Sequence, residues 1–413
     1  MNSNNINDYS IFTVCNINYL PKALVLAKSL NRYNKKKLII FIIDKKINMD
    51  FNNFDAEIYW IEDEDIPNFY ELAFKYDIIE LSTSLKPYIT IKLLKQYEKV
   101  IYFDADICLY SSIEPILNDL EKHSIVLTPH YTTPQSDDLS ESDLGMMRFG
   151  SYNLGFYAVK NNQQGLLFLN WWSKRCFQLS YMETQFGLST DQKWVSIAPC
   201  FIKDIYVSFN LGYNCAAWNS FERFIKKDKE QIYWVNDVYR LVFFHFSHFD
   251  KEDLEYLKKR ALIERNIKRP DLLELGINYN NELILKESQI GYHKYAFDYM
   301  SGGEYISLSL RRAYASIKNM LPTNHDPFDS DGIVAKFAKK NFLFERKNAR
   351  YIATSYKNII DHKNKMRIIY SLMRMILRFI GPNKFFNFSR LLVFLSSYRQ
   401  NTELWKYKKY ILK

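Results

Sequence analysis

The segment VIYFDAD, residues 100–106, sets the expected fold class. Its four apolar residues have the length of a buried strand and run directly into two aspartates separated by one alanine. YSIFTVC (9–15) and LIIFIID (38–44) are similar apolar runs. Continuous runs of this kind are typical of parallel strands that are covered on both faces. We therefore expect a sheet whose strands are buried on both sides.

Helical patterns alternate with these strands. Pro21 opens a periodic apolar segment after the first run, and residues 82–98 start with Ser/Thr signals and place Pro87 in a first helical turn. Further strands are expected at 125–127 and 152–159. Strands that alternate with helices predict an α/β fold with a mainly parallel central sheet flanked by helices.

Polar residues follow two of the expected strands. Asn16 and Asn18 come after the first strand, and Asp104 and Asp106 come after the strand at 100–103. Ligands of open α/β sheets sit beyond the carboxyl ends of the strands. These side chains are therefore candidates for one binding site.

The Asp104 and Asp106 pair is the strongest chemical signal in the chain. Two carboxylates at positions i and i+2 of a strand end can turn toward one small volume, where they repel each other unless a cation or a proton lies between them. Mg²⁺ and Mn²⁺ accept carboxylate oxygens and keep positions open for phosphate oxygens. The alternative is a solvated turn, because D-x-D also occurs by chance.

A second candidate site element is His245, which follows the expected strand LVFF (241–244). It can meet the acidic pair as a third metal ligand, or it can be a hydrogen-bonded core histidine among phenylalanines. Lys251 lies six residues further on. It can reach a phosphate, or it can be an exposed lysine at a helix start.

The composition divides the chain into two parts. With 413 residues, 47% of them hydrophobic, the chain can bury a large core, which excludes wholesale disorder. The formal charge of +10 is uneven: residues 346–413 hold 16 Lys and Arg against 2 acids, and residues 1–345 hold 40 against 44. A mildly acidic body therefore carries a strongly basic tail.

Cysteine spacing and hydropathy indicate the compartment. The five cysteines are widely spaced and include no C-x-x-C pair, which argues against a disulfide framework or a zinc site. The start lacks the features of a secretory signal, and no run of 18 uncharged apolar residues occurs. We expect a cytoplasmic protein.

The tail predicts a surface helix. KNKMRIIYSLMRMILRFI (363–380) places Arg367, Arg374 and Arg378 on one helical face with apolar residues over the rest, and residues 385–397 form a second apolar segment. This pattern is typical of helices that lie in the plane of a membrane. The alternative is packing on the body or on a second subunit. Nucleic-acid binding is disfavoured, because the tail has no recognition motif and the body is acidic.

Several motifs occur in an order that resembles one enzyme family: Asn18-Tyr19, Lys86, IYFDADI (101–107), YNLGF (152–156), Asp191-Gln192 and FFHFS (243–247). Together they resemble the glycogenin-like glycosyltransferases of family 8, and look closest to bacterial modules among surface-polysaccharide enzymes. The resemblance covers roughly residues 9–250 and, more weakly, extends to about 345. It implies a GT-A fold, in which a D-x-D and a later histidine bind Mn²⁺ and the metal holds the diphosphate of a nucleotide sugar.

The resemblance implies roles for the first half of the site. Asp104 and Asp106 match the acids that bind the metal and the ribose, and Ala105 between them offers its backbone to the nucleotide. Asn16 and Asn18 match the loop that receives the base. Lys86 matches a basic position that faces the donor; its alternative is a solvated lysine.

It also implies roles for the second half. Asn153 and Gly155 match a segment beside the transferred sugar, and a glycine there lets backbone approach the ligand. Asp191 matches the acid that holds sugar hydroxyls, and Gln192 matches an amide at the reacting face. A turn residue is the alternative for Asn153, and a helix N-cap is the alternative for Asp191.

Two departures from the family concern the segment after His245, which is the implied third metal ligand. Family 8 often has a glycine three residues later and Lys-Pro-Trp from six residues later, where this chain has His248 and Lys251-Glu252. Contact with the phosphates is then expected from the side chains of His248 and Lys251.

The expected protein is a metal-dependent glycosyltransferase that uses Mn²⁺ or Mg²⁺ and moves a sugar from a UDP-sugar to a glycan or glycolipid. The resemblance implies retention of configuration and a role in bacterial surface polysaccharide synthesis at the inner face of the plasma membrane. We expect a catalytic domain over 1–260, a helical extension over 261–345 and the basic tail over 346–413, which can also join a homo-oligomer. An inactive nucleotide-sugar or glycan-binding scaffold and a sugar-nucleotide nucleotidyltransferase are the alternatives.

Overall fold

The computed structural model describes residues 7–134, 140–249, 269–345 and 363–405. Contacts divide the chain into two compact units. The first consists of Met1–Pro67 and Ile78–Tyr295, and the second of Asn68–Asp77 and Ala296–Lys413. The domain boundaries at 260 and 345 that the sequence suggested stay predictions.

All strands of the described residues belong to the first unit. In chain order they are β1 (Asn7–Cys15), β2 (Leu38–Ile42), β3 (Ala56–Trp60), β4 (Tyr97–Phe103), β5 (Ile107–Leu109), β6 (Ile125–Pro129), β7 (Tyr152–Lys160), β8 (Met182–Glu183), β9 (Leu188–Ser189), β10 (Ile205–Val207), β11 (Cys215–Ala216), β12 (Ile225–Lys227), β13 (Tyr233–Val235), β14 (Tyr239–Arg240) and β15 (Phe243–His245).

The helices are shared between the units. In chain order they are α1 (Leu20–Asn34), α2 (Phe69–Lys75), α3 (Ile78–Leu93), α4 (Glu114–Lys122), α5 (Ser140–Phe149), α6 (Gln163–Leu179), α7 (Gln192–Val195), α8 (Pro270–Ile290), α9 (Leu308–Ile317), α10 (Ile333–Lys340), α11 (Lys363–Ile380) and α12 (Pro382–Leu395). The helix expected over 251–263 lies outside the described residues.

Seven strands form the central sheet, in the order β3-β2-β1-β4-β7-β6-β10. Strand β7 runs antiparallel to both of its neighbours, and the other neighbouring pairs are parallel. Alternate residues of each strand face opposite sides of the sheet. Helices α1 and α4 pack on one face, and α3 and α6 cover the other. The predicted fold class, a mainly parallel sheet flanked by helices with a helical C-terminal part, is confirmed.

Two details of the prediction differ in α3. The helix covers Ile78–Leu93 rather than 82–98, so Pro87 lies inside it and not in its first turn. The residues interpreted as start signals are internal instead. The hydroxyl of Ser82 donates to the Ile78 carbonyl at 2.7 Å, and that of Thr83 donates to the Ile79 carbonyl at 2.9 Å. Such back-bonding satisfies the hydroxyl within a helix, which is why it does not mark a beginning.

The second unit has its own buried anchor in Arg311 of α9. Its guanidinium donates to the carbonyls of Ala73, Phe74 and Tyr76 at 2.7–3.0 Å and to the Asp298 carboxylate at 2.9 Å. These bonds satisfy carbonyls around the end of α2, which belongs to this unit although it precedes α3 in the chain.

The tail helix predicted over 363–380 is confirmed as α11, and Gly381 separates it from α12. The two helices pack against each other. Among the described residues, no helix is long and apolar enough to span a bilayer.

Candidate active site

The parallel pairing of β1 and β4 brings their carboxyl ends to one edge of the sheet. Asn16 follows β1 and Asp104 follows β4 at this edge. Because β7 is antiparallel to β4, its first residues lie at the same edge, where the Asp104 backbone N–H donates to the Gly155 carbonyl at 2.7 Å. Sheet direction thus gathers three segments that are distant in the chain.

A small second sheet adds His245. Strand β15 pairs antiparallel with β5, so that His245 lies opposite Ile107, and the Phe246 N–H donates to the Asp106 carbonyl at 2.9 Å. Nε2 of His245 is 3.1 Å from Oδ1 of Asp106 and 3.9 Å from Oδ2 of Asp104. One ligand atom from each of the three side chains lies within 4.8 Å of the others.

These three side chains fit a divalent cation. Two carboxylates and one imidazole are a donor set suited to Mn²⁺ and related ions. The alternatives fit less well, because the Asp106 side chain is only 13% exposed and His245 is buried facing acids rather than packed only among rings. Burial alone would raise the pKa of Asp106, but His245 and Lys22 overcome this and hold that pKa well below its usual range.

Lys86 is buried beside the acids, so the solvated-lysine alternative is wrong. Its Nζ lies 3.1 Å from Oδ1 of Asp104 and 3.3 Å from Oδ2 of Asp191, and it donates to the Leu154 carbonyl at 3.0 Å. Burial would lower the pKa of Lys86, but the two carboxylates raise it above the ordinary lysine value. The ammonium therefore stays charged and joins two acids that are far apart in sequence.

Asp191 and Gln192 begin α7 and are held in different ways. Asp191 occupies the N-cap position but makes no side-chain cap bond, so the simple capping alternative is wrong. Burial raises the pKa of Asp191, and Lys86 opposes this rise. The Gln192 amide is held by backbone: its oxygen accepts from the Leu154 N–H at 3.2 Å, and its nitrogen donates to the Phe149 carbonyl at 3.1 Å.

Asn153 lies within β7, not in a turn, and its side chain is fixed by neighbours. Its oxygen accepts from the Gly155 N–H at 3.1 Å and from the Asn214 amide at 3.0 Å. Its nitrogen then faces Nε2 of His130 at 3.5 Å. Burial lowers the pKa of His130 to about 4, so this imidazole is neutral at pH 7.

The expected base-binding residues form a turn beside the acids. The Asn16 oxygen accepts from the Tyr19 N–H at 2.9 Å, which caps the short helix Ile17–Tyr19. The Asn18 amide makes two bonds with the backbone of His293, at 2.7 and 2.9 Å. Acidic neighbours of Tyr19 include both Asp104 and Asp106. The asparagines thus shape this loop through their own bonds.

The remaining predicted residues differ in accessibility. Ala105 is buried between the two acids. His248 is exposed and has a φ of 54°, a left-handed conformation that favours glycine. Lys251 lies outside the described residues. The position where the family often has glycine therefore keeps a glycine-like backbone although it carries an imidazole.

Two residues of this cluster were not singled out in the sequence. Tyr102 donates its hydroxyl to Oδ1 of Asp104 at 2.6 Å, but its place in an apolar strand resembles that of an ordinary core residue. His130 follows β6, and its position at a strand end at this edge is the signal that could have identified it.

The amino-acid sequence is similar to one known enzyme family and to two bacterial proteins. Residues 10–165 match the model of glycosyl transferase family 8. Two uncharacterized proteins of Bacillus subtilis (strain 168) are similar: YfnF, 25% identical over 165 residues (40% of this chain and 54% of YfnF), and YfnD, 26% identical over 175 residues (41% and 54%). The chain spans about half the length of the curated relatives it matches.

Solved structures are also similar. A crystal structure of galactosyltransferase LgtC with donor and acceptor sugar analogs aligns at a TM-score of 0.40 and 15% identity, covering 66% of this chain and 95% of LgtC. Glycosyltransferase GlyE of Streptococcus pneumoniae TIGR4 aligns at a TM-score of 0.37 and 15% identity, covering 71% and 67%. The family match spans Lys86, the two acids after β4, and Asn153 with Gly155. The family match over residues 10–165 therefore agrees with the resemblance that the motifs indicated.

Proposed function

We propose that this protein is a metal-dependent glycosyltransferase that moves a sugar from a UDP-sugar to a glycan or glycolipid acceptor, with retention of configuration. The observation that carries the proposal is the convergence of Asp104, Asp106 and His245 beside the Lys86 ammonium. Lys86 and the two aspartates lie in the part of the chain that matches glycosyl transferase family 8. We assign the pathway to bacterial surface polysaccharide synthesis, on the resemblance of the motifs.

The two aspartates and His245 would hold Mn²⁺ or Mg²⁺. A cation bound there supplies positive charge that stabilises the leaving diphosphate without proton transfer. The Lys86 ammonium neutralises part of the negative charge of the carboxylates and holds Asp104 in its orientation through their ion pair. His248 is exposed near the end of β15, where its imidazole can approach a phosphate.

For the transferred sugar, we assign Asp191 to hold its hydroxyls and Gln192 to face its reacting carbon. An oxocarbenium-like centre is stabilised by nearby carboxylate or amide oxygens. Oδ2 of Asp191 is buried, ion-paired with Lys86 and without a hydrogen bond among the described residues, so one acceptor atom is left for a hydroxyl. Asn153 and Gly155 lie beside it on β7 and shape the wall of the site.

The tail supports a location at the inner face of the plasma membrane. On α11 the side chains of Ile368 and Phe379 are 64% and 81% exposed, and on α12 that of Phe386 is 61% exposed. The described part of the tail, 363–405, contains a single acid, Glu403. Exposed apolar side chains beside an excess of cationic side chains suit an anionic lipid surface. A second copy of the chain is the other occupant that would cover this face.

The central test is hydrolysis of a panel of UDP-sugars with and without Mn²⁺. We expect metal-dependent release of UDP by the full chain, a large loss in Asp106→Ala, and none in Asp237→Ala, which removes an exposed acid of the same unit. Unchanged turnover in Asp106→Ala would contradict the metal role. Donor binding without release of UDP would favour an inactive scaffold, and release of pyrophosphate from UTP and a sugar phosphate would favour a nucleotidyltransferase.

A further inference from the structure

The two oxygens of the Asp104 carboxylate have different surroundings. Oδ1 accepts the Tyr102 hydroxyl at 2.6 Å and lies 3.1 Å from the Lys86 ammonium. Oδ2 lies on the side of His245, 3.9 Å from its Nε2. One oxygen is thus engaged by the protein, and the other faces the three-residue cluster.

Tyr102 is held in place from several sides. It is 1% exposed, and its ring stacks on Tyr157 with centroids 5.2 Å apart and planes 18° apart. The Phe12 ring meets it edge-on at 5.0 Å, and the Lys86 ammonium lies 4.6 Å from its centroid. With the ring fixed in this way, the hydroxyl cannot follow Asp104 if the carboxylate rotates.

The number of open carboxylate oxygens affects which cation a site prefers. Ca²⁺ binds carboxylates through one or both oxygens in flexible geometry, whereas Mg²⁺ requires near-ideal octahedral geometry and Mn²⁺ also suits octahedral oxygen sites. A carboxylate with one oxygen already bonded offers a single ligand atom. This favours a compact octahedral site and disfavours a larger, bidentate one.

We propose that Tyr102 is a positioning residue that restricts Asp104 to its Oδ2 atom toward the cation and thereby favours Mn²⁺ over Ca²⁺. This inference rests on the proposed function, because it requires that Asp104, Asp106 and His245 bind a divalent ion. It goes beyond that function by naming a residue outside the ligand set that decides how one ligand binds.

Tyr102→Phe and Tyr157→Phe form a matched pair for the test. Each removes one hydroxyl from a buried ring of the same stack, and the Tyr157 hydroxyl hydrogen-bonds Oγ1 of Thr90 at 2.7 Å where the Tyr102 hydroxyl bonds Asp104. Both keep the ring volume, and circular dichroism of the full chain monitors folding. Loss of packing or of a buried hydrogen bond should therefore affect the two variants alike.

The readout is binding of Mn²⁺ and Ca²⁺ alone, by electron paramagnetic resonance of free Mn²⁺ and by calorimetry. Loss of a residue that hydrogen-bonds a metal ligand typically lowers metal affinity 10–100-fold. We therefore expect Tyr102→Phe to raise the Kd for Mn²⁺ by about 10-fold. The Kd for Ca²⁺ should rise less, and Tyr157→Phe should change neither.

Equal effects of the two substitutions, or an unchanged preference for Mn²⁺ over Ca²⁺ in Tyr102→Phe, would overturn the inference while leaving the metal site in place. Absence of Mn²⁺ binding by the unaltered chain, at the level of Asp106→Ala, would overturn the proposed metal site and this inference with it.

Discussion

Gly155 lies so close to His245 that a Cβ at position 155 would be 2.7 Å from Nδ1 of the imidazole. The same Cβ would be 2.9 Å from the Asn153 side-chain oxygen. The sequence suggested that this glycine admits a ligand. In the structure the missing side chain makes room for the histidine ring.

Gly155→Ala should therefore displace the histidine and weaken metal binding. Overpacking of this kind costs about 1–3 kcal/mol of unfolding free energy. Denaturant unfolding together with Mn²⁺ titration measures both effects. Gly145→Ala is the control, because its Cβ would meet nothing within 4 Å inside α5, where alanine is the better helix former. Normal Mn²⁺ affinity in Gly155→Ala would show that the His245 position is not critical.

Lys86→Met should destabilise the protein through its two acidic partners. Breaking a buried ion pair on one side typically costs about 3–5 kcal/mol, because it leaves an uncompensated buried charge. Adding Asp191→Asn removes one of those charges, so the double variant should recover part of the loss. Unfolding free energies of the single and double variants form a double-mutant cycle, and strict additivity would contradict the coupling.

Neutral His130 predicts a pH dependence of stability. Burial lowers its pKa to about 4 in the fold, against about 6.5 in an unfolded chain, so below pH 6.5 the unfolded state binds the proton more tightly. The unfolding free energy should therefore fall as the pH drops from 6.5 toward 4. Below pH 4 both states hold the proton, so His130 causes no further loss.

The comparison that isolates this effect is the wild type against His130→Gln at pH 7 and pH 5. Between these values the wild type should lose about 1–2 kcal/mol more unfolding free energy than the variant. Parallel losses in the two proteins would mean that His130 is not held neutral in the fold.

The tail prediction concerns charge on α11. Each basic residue near an anionic membrane contributes about 1 kcal/mol, so full-length Arg367→Gln/Arg374→Gln/Arg378→Gln should bind phosphatidylglycerol vesicles about 100-fold more weakly or worse. The triple change Lys336→Gln/Lys339→Gln/Lys340→Gln on α10 is the charge-matched control and should have little effect. Equal vesicle binding by the two variants would count against lipid, and a concentration-dependent dimer seen by sedimentation would point to a second copy.

Much of the site could be anticipated from local sequence. An apolar strand running into D-x-D predicts carboxylates at a sheet edge, because strand burial and strand direction follow from the residue pattern. His245 could be proposed for the same reason, since it ends the strand formed by Phe243 and Phe244. Helix α3 was misplaced because hydroxyls bonded back to the preceding turn look the same in a sequence as hydroxyls at a helix start.

The sequence by itself determined the α/β class, the acidic pair and the separation of an acidic body from a basic tail, because these depend on composition and short-range periodicity. It also carried the family resemblance, through the order of its motifs. Only the tertiary structure decided that Lys86 joins Asp104 to Asp191, that Tyr102 bonds one oxygen of Asp104, and that Gly155 makes room for His245. Two of these relationships join residues that are far apart in the chain, where strand order sets the distances. The bond between Tyr102 and Asp104 is local, but side-chain packing decides which carboxylate oxygen the hydroxyl reaches.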